Sequence, residues 1–125
     1  MRTAAQQLGD AAEALVADGL VAAGWIIQAR NLRVGRQEID LIATDPGPPP
    51  TLVFVEVRWR ARRDFGLAEE TVDHRKRERL RRAAFELIGR GPGPNRALEL
   101  PRLPVRFDLV VVEPHRQIRH HRHGG

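Results

Sequence analysis

Apolar residues first recur along the chain at helical spacing. Leu8, Ala11, Ala12, Leu15, Val16 and Ala23 fall on one face of a segment from about Thr3 to Ala23, which predicts an amphipathic helix, and Gly24 is a natural stop. Glu13 lies at the edge of that apolar face, near Val16 and Leu20. The period then shortens to that of strands. Trp25 to Val34, Gln37 to Thr44 and Leu52 to Trp59 read as three strands. Gly35-Arg36 turns the first into the second, and Asp45-Pro46-Gly47-Pro48-Pro49-Pro50 makes the next loop, because proline cannot donate to a ladder. Near-continuous hydrophobicity in the second and third strands implies a sheet covered on both faces.

Arg60 to Gly66 is a basic connection. A long helix is predicted from about Glu69 to Ile88, with Val72, Leu80, Ala83, Ala84 and Leu87 as its apolar stripe. Lys76 interrupts the stripe, either snorkelling past the core edge or aiming its ammonium at a charged site. Arg75, Arg77, Arg79, Arg81 and Arg82 fill the outer face. After a break over 89–94, Val105 to Glu113 gives a last strand, interrupted by Arg106 and Asp108. The predicted order is αβββαβ. The third and fourth strands, joined through a helix, are expected to be parallel and adjacent or one strand apart. One domain is expected over 1–113, followed by a disordered Arg/His tail over 114–125.

Composition narrows the function classes. The 125 residues contain no cysteine, so disulfide frameworks and thiolate zinc sites are excluded. No apolar run approaches the roughly 20 residues of a membrane span, and the N-terminus lacks a signal-peptide layout; a cytoplasmic protein without membrane contact is the expectation. Against 16 Asp+Glu stand 21 Lys+Arg, a net charge of +5, which suits a polyanionic partner. Lys76 is the only lysine.

Within the apolar strands sit carboxylates. Glu38-Ile39-Asp40-Leu41-Ile42 and Val53-Phe54-Val55-Glu56-Val57-Arg58 form a hairpin pair in which Asp40 is expected opposite Glu56. Like charges in that position destabilise a sheet, and a divalent cation between them relieves the repulsion. The structural alternative pairs these acids with Arg58 or Arg106. Glu38 is expected to partner Arg58, Asp108 to be structural, and His120, His121 and His123 to belong to the loose tail.

An acid on a first helix, an acid on a second strand and Glu-x-basic on a third resemble the PD-(D/E)xK superfamily, with its restriction-endonuclease-like fold. Gly9-x-x-x-Glu13, Gly24, Asn31, Glu38-Ile39-Asp40-Leu41-Ile42, Phe54-Val55-Glu56-Val57-Arg58, Phe65-Gly66, Lys76 and Arg106-Phe107-Asp108 are similar to the YraN-type family of uncharacterised bacterial proteins, itself similar to Holliday-junction resolvases. The resemblance implies an α/β fold with a mixed sheet flanked by helices. It implies Mg²⁺ or Mn²⁺ held by Asp40, Glu56, the Val57 carbonyl and Glu13, with Arg58 in the place of the superfamily's lysine and Lys76 as a second cation. Gln37 stands where that family usually has glycine. Arg62, Arg63, Arg75 and Arg79 are the expected nucleic-acid contacts, DNA the expected partner, and a homodimer the expected assembly. Three function classes stay open on sequence alone: a metal-dependent nuclease acting on branched or structured DNA, a nucleic-acid-binding protein without turnover, and a structural adaptor.

Overall fold

In the computed structural model, residues 3–59, 74–90 and 99–124 are described. Helix α1 (Ala4–Ala22) opens on a capping box: the Gln6 amide donates to the Thr3 hydroxyl at 3.1 Å, and the Thr3 amide donates to Gln6 Oε1 at 2.8 Å. It closes on a Schellman motif. Gly24, at φ +92°, donates to the Val21 carbonyl, and Trp25 N–H reaches back to the Leu20 carbonyl at 2.9 Å. Trp25 and Leu20 then enter the same core, so the stop signal read in Gly24 also aims the chain into the sheet.

Five strands follow: β1 (Ile26–Val34), β2 (Gln37–Asp45), β3 (Thr51–Trp59), β4 (Val105–Glu113) and β5 (Gln117–Gly124). They lie side by side in that order. The β3–β4 pair is parallel and the others antiparallel. Helix α2, described over His74–Arg90, lies between β3 and β4 in sequence and supplies the crossover a parallel pair requires. The mixed α/β sheet flanked by helices therefore stands as expected. The predicted start of the second helix and residue Val72 lie outside the described residues.

Each face of the sheet has its own core. On one, Ala12, Val16, Ala17 and Leu20 of α1 pack against Leu41, Ala43, Val53, Val55, Val110 and Val112. On the other, Ala83 and Ala84 of α2 pack against Ile42, Leu52, Phe54 and Phe107. The Phe54 and Phe107 rings stack with centroids 5.6 Å apart, and Phe85 meets Phe107 edge-on. This two-sided burial is why β2 and β3 read as almost unbroken apolar runs.

The chain beyond Glu113 corrects the expectation of a disordered tail. A 3-10 turn over Pro114–Arg116 reverses it, and β5 pairs with the length of β4 from Glu113↔Gln117 to Arg106↔Gly124. Its Arg/His composition looks unstructured, but the polar side chains meet buried partners. Asp108, with no side-chain exposure, accepts from Arg106 Nε at 2.9 Å and lies 2.8 Å from His120 Nε2. Arg106 also donates to Asp45 at 2.9 Å. Glu113 pairs with Arg119. Trp25 sits against this group, with the Arg106 guanidinium 5.7 Å and the His120 ring 5.8 Å away.

Two outcomes follow for stability. Asp108→Ala removes the acceptor that Arg106 and His120 share, leaving Arg106 with Asp45 alone, and should cost about 1–3 kcal/mol, read as a lower urea midpoint. Deleting residues 114–125 uncovers β4, so the truncated chain should aggregate or lose cooperative unfolding; a soluble truncation of unchanged midpoint would contradict the β4–β5 pairing.

Candidate metal centre

The alternation of β1 and β2 breaks at one pair of positions. Leu41 belongs to the α1-side core, yet Ile39, two residues earlier, belongs to the α2-side core. Across the ladder, Arg30 pairs with Leu41 and Leu32 with Ile39, so the opposing strand switches faces at the same place. Between them stand Asp40 and Asn31. Asn31 adopts φ +51°, a left-handed conformation that asparagine tolerates better than most residues. The switch coincides with the end of the β2–β3 ladder: its last pair is Leu41↔Val55. One step further in that register lies the predicted Asp40–Glu56 opposition, and there the strands part.

Asp40 fills the fork. Its Oδ2 accepts the Val57 amide at 2.9 Å, taking an N–H that β2 leaves unpaired. Glu13, from the middle of α1, and Glu38 approach it from the α1 side. One carboxylate oxygen from each of Glu13, Glu38 and Asp40 lies within 4.8 Å of the other two. Glu56 stands on the α2 side, buried, with Oε1 held by Lys76 Nζ at 2.9 Å and Arg58 at 3.1 Å. Lys76 thus aims at a charged site rather than merely snorkelling.

The acids crowd one another. Burial and the Asp40 carboxylate push Glu13 up to about 7, against the lowering effect of a hydrogen bond with Asn31. Burial likewise lifts Asp40 to about 6; the Val57 amide opposes this, and the Glu56 charge adds to it. Both groups therefore keep their protons to higher pH than ordinary carboxyls, Glu13 to about 7 and Asp40 to about 6.

The chemistry of the donor set fits a hard divalent cation. Three convergent carboxylate oxygens suit Mg²⁺ or Mn²⁺. Oxygens on opposite sides of Mg²⁺ are about 4.2 Å apart, so separations of no more than 4.8 Å are on the scale of a shared ion. The geometry redistributes the expected roles. Glu13 and Asp40 are brought together as anticipated, but Glu38, expected to pair with Arg58, joins them. Arg58 instead pairs with Glu56, two residues away on the same face of β3. Val57 contributes its N–H to Asp40. Of the expected nucleic-acid contacts, Arg75 and Arg79 are exposed on α2; Arg62 and Arg63 lie outside the described residues. Asn31 was visible in the sequence as part of a motif, but its bond to Glu13 depends on a φ value that strand periodicity hides.

The model of the uncharacterised protein family UPF0102 matches residues 12–112. A UPF0102 protein of Symbiobacterium thermophilum is 43% identical over 110 residues, covering 87% of this chain and 84% of its own. One from Moorella thermoacetica is 43% identical over 115 residues, covering 90% and 83%. A third, from Deinococcus radiodurans, is 39% identical over 105 residues, covering 84% and 79%.

The raised acids set a pH dependence. A carboxylic acid whose folded pKa exceeds its unfolded value stabilises the fold below the unfolded value and loses that contribution as pH rises through the folded one. For Glu13 the window runs from 4.5 to about 7. Without divalent ions, urea midpoints should therefore fall across this window in the wild type and fall less in Glu13→Gln. Parallel curves for the two proteins would contradict the clustering of acids around Glu13.

Proposed function

The chain belongs to the uncharacterised protein family UPF0102, and from the acidic fork between β2 and β3 we propose that it is a metal-dependent endonuclease acting on branched or structured DNA. The observation that carries the reading is the convergence of Glu13, Glu38 and Asp40 on one point, beside two cations held at Glu56. Phosphodiester hydrolysis needs an activated water and neutralisation of charge building on phosphate oxygens. Mg²⁺ or Mn²⁺, when bound, supplies an acidified water and a Lewis acid.

The remaining work falls to this chain's own groups. Asp40, fixed by the Val57 amide, and Glu13, fixed through Asn31, would hold the ion. Arg58 and Lys76 lie on the opposite side of the fork from Glu13 and Glu38. Both are placed to exchange part of their contact with Glu56 for a phosphate oxygen. An arginine side chain is no practical proton acceptor, so the role of Arg58 is electrostatic. Lys76 supplies the ammonium that the strand itself lacks. Glu56 is a positioning residue in this scheme, orienting both cations and adding negative charge beside Asp40. A homodimer, by analogy with enzymes that cut two strands, completes the proposal.

A second reading has its own support. With Glu56 tied to Arg58 and Lys76, and arginine in place of lysine, the fork also suits nucleic-acid binding without turnover. The test separates the two. A flapped or four-way DNA should be cut in Mg²⁺ or Mn²⁺ and left intact in EDTA, and Asp40→Ala and Glu56→Ala should each reduce the rate by at least about a hundredfold, on the order of 3 kcal/mol of barrier. Equal residual cutting in both variants would identify a contaminating nuclease. Salt-sensitive binding without cutting would select the second reading.

A further inference from the structure

Beyond the fork, the β1–β2 hairpin continues without β3. Its ladder runs on through Leu32↔Ile39 and Arg33↔Glu38 to Val34↔Gln37, closed by the two-residue turn Gly35-Arg36. Gly35 at φ +61° supplies the positive first dihedral of a type II′ turn. Leu32, Val34 and Ile39 anchor one face of this arm in the α2-side core. The other face is charged.

The break at Asn31 and Asp40 decides which side chains share that face. Residues three apart on a regular strand point to opposite sides. Here Arg30 shares a face with Leu41, on the α1 side, whereas Leu32 shares the α2 side with Ile39. The reversal brings Arg30 and Arg33 to the same side, about 10 Å apart along the strand, and Arg36 follows at the turn. All three are exposed. Among the described residues none has a hydrogen-bond or ion-pair partner.

That freedom is unexpected for Arg33. Its ladder partner is Glu38, with Cα atoms about 4.5–5.5 Å apart as in any antiparallel pair, yet Glu38 turns to Glu13 and Asp40 instead. Elsewhere the fold pairs its arginines with nearby acids: Arg58 with Glu56, Arg106 with Asp45 and Asp108, Arg119 with Glu113. The hairpin places cations next to acids and leaves them unengaged.

We propose that Arg30, Arg33 and Arg36 form a phosphate-binding track for the backbone of the nucleic-acid strand that enters the fork. The inference rests on the nuclease reading and sharpens it, because it assigns the cut strand to the hairpin on the α1 side. The helix α2 arginines that the sequence pointed to lie on the other face. A phosphate held by Arg33 sits within a side chain's length of the Glu13–Glu38–Asp40 oxygens. Guanidinium groups suit this task, since they present paired N–H donors to phosphate oxygens. Recognition through phosphates alone fixes position and carries no base sequence.

The test is the salt dependence of binding. A fluorescein-labelled duplex with a single-stranded tail is titrated with the full chain in Ca²⁺, an oxygen-seeking cation that neutralises the acids, and anisotropy is followed across a salt series. Each phosphate contact contributes about 0.9 to the slope of log K against log salt on duplex DNA. The Arg30→Gln/Arg33→Gln/Arg36→Gln variant should lose about 2–3 from that slope and bind at least about tenfold more weakly. Arg102→Gln, an exposed arginine at the opposite end of the sheet, should leave the slope unchanged. Wild-type binding with an unaltered slope in the triple variant would overturn the track and spare the nuclease reading. An altered Mn²⁺ affinity by calorimetry with an unaltered slope would likewise overturn it, assigning these arginines to the acids. Failure of the wild type to bind at low salt would bring down the nuclease reading and the track together.

Discussion

The parting of β2 and β3 after Leu41↔Val55 is the constraint on which the rest of the site depends. A strand that loses its neighbour leaves amides unpaired, and an unpaired buried amide is costly. Asp40 meets that cost at Val57 with its own side chain. The same bond fixes a carboxylate at the centre of the opening. Everything assigned to the site is measured from that carboxylate: Glu13 and Glu38 on the α1 side, Glu56 with its two cations on the α2 side. Without the fork the sheet would be more regular and Asp40 would face Glu56 in an ordinary ladder, repelling it.

The two ends of the sheet treat charge in opposite ways. At the far end, against the upward push of burial, Arg106 and His120 hold the Asp108 carboxyl below its usual range, and the Gly47 amide and Arg106 do the same for Asp45. Those acids are satisfied within the chain, and Asp108 fastens β5 to the body through His120. At the fork, acids are gathered beside acids, and two of them are pushed up toward neutrality. The fold compensates buried charge well at one end and poorly at the other, and in the function proposed above the counter-charge missing at the fork is that of a bound divalent cation. The exposed arginines of the hairpin belong to the same pattern, as cations lacking an anion.

Much of this was legible in the sequence, and the failures have identifiable causes. The α1 boundaries followed from Thr3 and Gly24, which carry their cap geometry in their chemistry. The Val105–Glu113 strand was readable because its alternate positions are buried on both faces. Glu13 and Asp40 were recognisable as carboxylates out of place in apolar surroundings. Glu38 was misassigned because period-two reasoning puts it beside Asp40 on a regular strand, with Arg58 in reach, and the reversal at Asn31 is a backbone event without a hydropathy signature. Strand β5 escaped notice for a different reason. Residues 117–122 have no apolar alternation; their partners, Asp108 and Glu113, lie on a strand whose own pattern reads as core.

The charge on β5 also has a bearing on the free edge of the sheet. Strand β5 is the last in the sheet order, and an outer strand is the usual route by which sheets fuse edge to edge. A two-fold antiparallel pairing centred between His120 and His121 would set Arg119 against Arg122, guanidinium facing guanidinium, and one histidine against the other. Like charges in those positions oppose the pairing. The basic strand that completes the fold therefore also discourages a further strand from adding along its own free edge.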